Sequence, residues 1–332
     1  MSCNPLFRVQ DRVIPILLAL SFLVSHQTIA QGYHTLPLII SDSLLSKHIG
    51  TLSHDNMEGR FTGTAAANNA AWYIAGQMRQ IGLQPWSEQD SSFLVPWMIY
   101  PGEKRNDTFN VAGYLPGKKY PDTMIVFSAH YDHIGLQSNQ KAYPFGSFSK
   151  RIKGDVVFNG ANDNASGVAA MLELARAFTE TGSAYTLIFV AFSGEELGLR
   201  GSARFVPYLE TGKVKQNINL EMLGRPDKRT PFITENESGT FRIMLNRNLH
   251  MQNPEYGKKY FWPDPYPEQK LFERSDNISF QNAGIPANTI MGTSPYDRYY
   301  HSADDEVSCL NVPAMRNIVQ AIYIALVPFL NP

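Results

Sequence analysis

The chain has 332 residues, 43% of them hydrophobic, and a formal charge of -1. It is long enough to bury one large α/β core or two smaller ones, which excludes a small scaffold held by staples. Near-neutrality argues against nucleic acid as the main partner.

Arg8 and Arg12 precede an apolar run over residues 13–24, and Thr28-Ile29-Ala30 supplies small residues before Gln31. This pattern predicts a cleaved export signal over residues 1–30, leaving residues 31–332 as a single domain. The run is shorter than the ~20 residues that span a bilayer, so no stable membrane span is expected once the signal is removed. The cysteines are Cys3 and Cys309. Loss of the signal removes Cys3 and with it any internal disulfide. A secreted or periplasmic bacterial protein fits these features; oligomeric state is left open.

Residues 57–64, with Gly59 and Gly63 in a polar setting, read as a turn-rich loop. From Ala71 through Ile74, Ala75, Met78 and Ile81 the apolar residues fall on one helical face, and Gly82 supplies the stop. Residues 110–114 and 124–128 predict neighbouring strands joined through Pro116-Gly117, the second too continuously apolar to face water. A helix is expected over 167–178, capped by Asn164 or Ser166. Further strands are expected over 186–192, 216–220 and 287–291, and a last helix over 312–326. The stretch 250–272, rich in Tyr, Trp and Pro, reads as a loop that either walls a substrate pocket or anchors itself to the surface. Strand and helix alternate, which predicts a three-layer α/β/α fold. Its mixed, mainly parallel sheet would be covered by helices on both faces, with ligands gathering beyond the carboxyl ends of the strands.

Glu195 and Glu196 leave the apolar run 186–192 side by side. Adjacent carboxylates at a buried strand end repel and lose hydration unless a cation or a transferred proton compensates. Other strand-like runs end on His130 and Asp132, on Asp163 in Gly-Ala-Asn-Asp-Asn-Ala-Ser-Gly, on Glu221 and on His301. Imidazole and carboxylate together suit zinc in a site that keeps a position open for water. If Asp163 bridges two ions, His130 and Glu221 complete one site and Glu196 and His301 the other. Glu195 is then free to act as the base, Asp132 can accept the second ring N–H of His130, and Tyr300 either offers its hydroxyl to an oxyanion or simply packs. His34, His48, His54, His133 and His250 lack such a setting and read as surface or satisfied structural histidines. At least one of Asp304 and Asp305 reads as a cap or a solvated carboxylate.

Over roughly residues 45–326 the chain resembles the co-catalytic zinc exopeptidases of metallopeptidase family twenty-eight. The Gly-Ala-Asn-Asp-Asn-Ala-Ser-Gly and Gly-Glu-Glu-Leu-Gly-Leu-Arg-Gly-Ser blocks carry the resemblance. It implies the ligand roles of His130, Asp163, Glu196 and His301, the base role of Glu195, the orienting role of Asp132 and oxyanion assistance from Tyr300. The activity it implies is hydrolysis of the first bond of a peptide with a free amino terminus, with two zinc ions. Two positions depart from the family pattern. Glu221 stands where most relatives carry aspartate, which leaves one ion or two open. Arg274-Ser275-Asp276-Asn277 stands where Ser-Asp-His is common, with Asp276 expected to survive as a hydrogen-bond partner behind the ligands. The alternatives within the family are a glutaminyl cyclase, against which Tyr300 and the Asn-Ala-Ser-Gly continuation speak, and a carboxypeptidase. A noncatalytic binding domain is the alternative outside enzymes.

Overall fold

The computed structural model describes residues 39–87, 91–99, 108–142, 154–235 and 239–332. The expected signal over residues 1–30 lies outside them. The helices are α1 (Asp42–Leu52), α2 (Ala65–Ile81), α3 (Gly167–Thr181), α4 (Arg200–Phe205), α5 (Thr240–Gln252), α6 (Asn277–Asn282) and α7 (Val312–Leu330). The strands are β1 (Gln84–Pro85), β2 (Leu94–Trp97), β3 (Thr108–Leu115), β4 (Tyr120–His130), β5 (Gly135–Leu136), β6 (Val157–Phe158), β7 (Tyr185–Phe192), β8 (Val214–Glu221), β9 (Phe232–Thr234), β10 (Trp262–Pro263) and β11 (Ala287–Met291).

The main sheet runs β1-β3-β7-β4-β8-β11-β9-β10, with β2 paired to β3. Its centre is parallel: β4 pairs in parallel with β7 and β8, and β8 with β11. β3 and β9 join antiparallel on the two flanks. Every residue of β7 is buried, as its uninterrupted apolar run requires of a strand covered on both faces. β3 and β4 follow each other in the chain through Pro116-Gly117, yet they are not neighbours in the sheet, because β7 is inserted between them. That corrects the expected pairing. The parallel β7–β4–β8 arrangement instead gives β4 a strand on each side and keeps its apolar residues in the middle of the sheet.

Alternation along the strands divides the core into two layers. Ile125, Phe127 and Ala129 of β4 face one side, where α1, α2, α3, α5 and α7 contribute Leu45, Ile74, Leu172, Leu245 and Ile322. Val126 of β4, with Ile188 and Val190 of β7, faces the other side, against Phe205 of α4 and Phe280 of α6. The three-layer α/β/α architecture is therefore the one expected. The last helix, α7, is long and apolar enough to cross a membrane by length and composition alone, but its apolar residues from Met315 to Leu326 are buried in this core.

Local signals account for the helix ends. The Thr64 side chain accepts the N–H of Ala67 at the start of α2, and Gly82 ends it with φ 92, a left-handed conformation that favours glycine. At α3 the cap is Asn164, whose side-chain oxygen accepts the Gly167 N–H at 3.0 Å, rather than Ser166.

Candidate active site

The parallel strands deliver their last residues to one end of the sheet. His130 closes β4 and Glu221 closes β8. After β7 the chain turns at Gly194, with φ 76, and presents Glu195 and Glu196. His301 comes from the loop beyond β11, itself at φ 50. Asp163 departs from the expected pattern: it follows the two-residue β6, which pairs only with β5, and sits in an irregular turn leading into α3.

Asp163 lies between two groups of donors. Its Oδ1 is 3.3 Å from His130 Nε2, and its Oδ2 is 3.3 Å from His301 Nε2. On the first side Glu221 Oε1 is 2.9 Å from the same His130 nitrogen. On the second side Glu196 Oε1 is 3.3 Å from His301 Nε2 and 3.0 Å from His133 Nδ1. One ligand atom from each of His130, Asp163 and Glu221 falls within a 4.8 Å sphere of mutual distances, and the same holds for His133, Asp163 and Glu196. Three carboxylates and three imidazoles share this buried hollow. The donor set, oxygen and imidazole without thiolate, fits a pair of divalent cations sharing Asp163 and is well suited to zinc.

The surrounding bonds show why the Gly-Ala-Asn-Asp-Asn-Ala-Ser-Gly block has its composition. Asn164 Nδ2 donates to the carbonyl of Leu220, while its Oδ1 accepts the N–H of Met222. Asn162 Oδ1 accepts the N–H of Gly224, and Ser166 Oγ accepts that of Leu223. Three polar side chains thereby clasp the main chain on either side of Glu221 and fix it relative to Asp163. Gly167 must lack a side chain, since a Cβ there would lie 2.4 Å from the Leu220 carbonyl oxygen. Asp305 accepts the backbone N–H groups of Asn162 and Asp163, and Arg225 Nη1 holds Asp305 at 2.5 Å. Asp305 is thus a buried structural acceptor behind the site.

Burial alone would raise every carboxylate here, and the neighbours decide the outcome. Asp163 is held well below the usual range because His130 and His301 outweigh its desolvation. Glu196 is likewise pulled down, by His301 and His133 against burial. Glu195 goes the other way. Desolvation, reinforced by the charges of Glu196 and Glu221, holds it well above the ordinary carboxylate range despite the pull of His130. Two adjacent carboxylates are thereby pushed apart, one ionised and one able to carry a proton. Burial also raises the Tyr300 hydroxyl, with Asp163 and Glu196 adding to it.

A profile of peptidase family M28 matches residues 110–326. The chain belongs to this family. It is 28% identical over 240 residues to aminopeptidase YwaD of Bacillus subtilis, covering 65% of this chain and 44% of that protein. To leupeptin-inactivating enzyme 1 of Streptomyces exfoliatus it is 30% identical over 190 residues, covering 50% of this chain and 41% of that one. The match thus spans less than half the length of these curated relatives. Among solved structures, the zinc aminopeptidase BSAP of Bacillus subtilis superposes with a TM-score of 0.64 at 19% identity, over 89% of this chain and 97% of that one. The glutaminyl cyclase of Porphyromonas gingivalis gives 0.65 at 16% identity, over 87% and 99%. At such identities these two establish a shared fold.

Within this M28 chain the structure brings together all eight residues singled out in the sequence, with three differences of detail. First, the His130 Nδ1 meets the backbone carbonyl of Asp132 at 3.2 Å, while the Asp132 carboxylate is 3.7 Å away. That carboxylate accepts instead the Thr62 hydroxyl and the backbone N–H groups of Glu195 and Glu196, so it positions both glutamates. Second, the residue behind Glu221 is Ser275, whose hydroxyl donates to Glu221 Oε2 at 2.7 Å. Asp276 is fully buried and its carboxylate makes no hydrogen bond to the candidate metal-binding residues, so the role expected of it falls to its neighbour. Burial pushes Asp276 up to about 7, against the pull of His130. Third, His133 was not singled out, yet its ring is fully buried against Glu196 and stands edge-on to His301 at 5.7 Å. Its one sequence signal is its place three residues after His130, on the same strand exit.

Tyr300 stacks on His301 with ring centroids 3.9 Å apart and packs beside Met222, Leu271 and Met291. Tyr300 and these three apolar residues, with His130, Asp163, Glu195, Glu196 and Glu221, line one small cavity of about 50 Å³. Of the aromatic stretch 250–272, Leu271 reaches this cavity, whereas Phe261 and Trp262 line a separate cleft beside α5. Phe261 and Trp262 therefore do not wall this cavity, while Tyr266 packs in the cluster that contains Leu271 and Tyr300.

Proposed function

We propose that this chain is an exported, zinc-dependent aminopeptidase that removes the first residue of peptides with a free amino terminus. The observation that carries the reading is the division of Asp163 between two donor groups, with a further carboxylate, Glu195, in the same cavity. His130 and Glu221 would hold one cation and Glu196 with His301 the other; Asp163 would serve both, and His133 is placed to add a donor to the second. Zinc bound there supplies Lewis acidity, lowering the pKa of the attacking water and polarising the scissile carbonyl.

The protein's own residues supply the rest. Glu195 takes the proton from the attacking water and delivers it to the departing amine, and its raised affinity for a proton suits both halves of that task. Asp132 fixes the main chain of Glu195 and Glu196, so the base keeps its position while the proton moves. Tyr300, partly buried and with its hydroxyl shifted further toward the protonated form, can donate that hydroxyl to the oxygen that gains charge. Aminopeptidase is preferred to carboxypeptidase because the family relative YwaD is named an aminopeptidase. Arg8, Arg12 and the apolar run after them support export to the periplasm or medium.

Replacing Glu195 by Gln tests the assignment. The variant is expected to bind zinc as the parent does and to lose peptide hydrolysis by ~100-fold or more. Retained turnover would refute the role of Glu195.

A further inference from the structure

The cavity contains one permanent cation among its lining residues, Arg274. Its backbone is fixed: the Arg274 N–H bonds the Leu271 carbonyl at 3.1 Å, and the next residue, Ser275, is tied to Glu221. Its side chain is exposed at the mouth of the cavity. The other arginines near the site are committed, Arg60 to main-chain carbonyls and Arg225 to Asp297 and Asp305. Met222, Leu271, Met291 and Pro295 make the cavity wall beside Arg274 apolar.

Resting on the aminopeptidase reading, the charge balance gives this residue a task. Divalent cations would offset Asp163, Glu196 and Glu221, the carboxylates that would hold them, and Arg274 is the one guanidinium among the residues that line the cavity. A guanidinium presents a planar fork of donors that matches a carboxylate with two parallel hydrogen bonds. The cavity, about 50 Å³, accepts only a short group, which leaves a substrate's charged end at the rim. We propose that Arg274 binds a carboxylate of the substrate and so directs the enzyme toward anionic substrates. The carboxylate comes either from an acidic first side chain or from the carboxyl terminus of a dipeptide.

Two substrate pairs separate these sources. Glu-Ala-amide against Gln-Ala-amide isolates the side chain; Ala-Ala against Ala-Ala-amide isolates the terminus. The zinc-loaded parent is expected to prefer the acid in at least one pair. In R274A the acid-over-amide ratio of kcat/KM in that pair should fall about tenfold, chiefly through KM, as loss of a charge-assisted contact implies. R274K should keep part of the ratio, since it retains the charge and loses the fork. Equal losses on acid and amide, or an unchanged ratio in both pairs, overturn the assignment while leaving the aminopeptidase in place. Failure of the parent to cleave any of the four overturns the aminopeptidase reading and this inference with it.

Discussion

His130 and Glu221 meet at 2.9 Å, Nε2 to Oε1, at the ends of adjacent parallel strands. The longer side chain of Glu221 is accommodated because Ser275 holds its second oxygen, which leaves the first directed at the imidazole. Hydrogen bonds behind a ligand tune its orientation, and their loss typically weakens metal binding ~10–100-fold. S275A is therefore expected to weaken one of two zinc ions by that factor, seen in a zinc titration against a competing chelator. Identical titration curves for variant and parent would show that Glu221 needs no such support.

Arg60 is fully buried and donates to four main-chain carbonyls: Leu52 at 2.5 Å, Tyr131 at 2.6 Å, Asn159 at 2.7 Å and Gly160 at 3.0 Å. It joins the end of α1 to the exit of β4 and to the turn that carries Asp163. Burial lowers its affinity for a proton to about 10, so it remains charged at neutral pH. R60M strands those carbonyls in the core and is expected to destabilise the fold by about 3–5 kcal/mol. R60K should recover only part, because an ammonium has three donors for four acceptors. Chemical denaturation reads both values, and a loss below 1 kcal/mol in R60M would contradict the role.

His48 supplies a pH dependence remote from the site. It is buried, with Nδ1 2.8 Å from the Tyr73 hydroxyl, and burial lowers its pKa to about 4. The unfolded chain takes up a proton near the ordinary value of 6.5, whereas the folded chain does so only near 4. Stability from this residue is thus fully present above 6.5 and is lost as pH falls toward 4, by up to about 3 kcal/mol. H48Q should flatten the fall in stability between pH 6.5 and 4.5 relative to the parent. Parallel stability curves for the two proteins would rule the contribution out.

What the sequence discloses depends on where the partner atoms lie. β7 was legible because an unbroken apolar run between polar ends has few alternatives to a covered strand. The convergence of His130, Asp163, Glu196, Glu221 and His301 was legible because acidic and imidazole groups at such strand ends are costly without a use. Arg60 was not: a charged residue in a Gly-rich loop resembles a solvated one, and its acceptors are carbonyl groups that leave no mark on side-chain identity. His133 was set aside for a related reason, since its position depends on how the chain leaves β4 after Asp132. The β3–β4 pairing failed because insertion of β7 between them is a nonlocal choice. α5 was missed because Arg242, Asn246, Arg247 and Asn248 interrupt its apolar stripe, and two of these, Asn246 and Asn248, are buried through main-chain hydrogen bonds.

The central claim is that Asp163 is shared by two cations in one hollow. Zinc content per chain, determined on the parent and on D163N together with hydrolysis of free and amino-terminally blocked dipeptides, tests it most directly. The expected result is two zinc ions per parent chain, cleavage of the free dipeptide alone, and loss of both ions and of activity in D163N. A parent that is fully active without zinc, or a D163N variant that keeps two ions and full turnover, would contradict it.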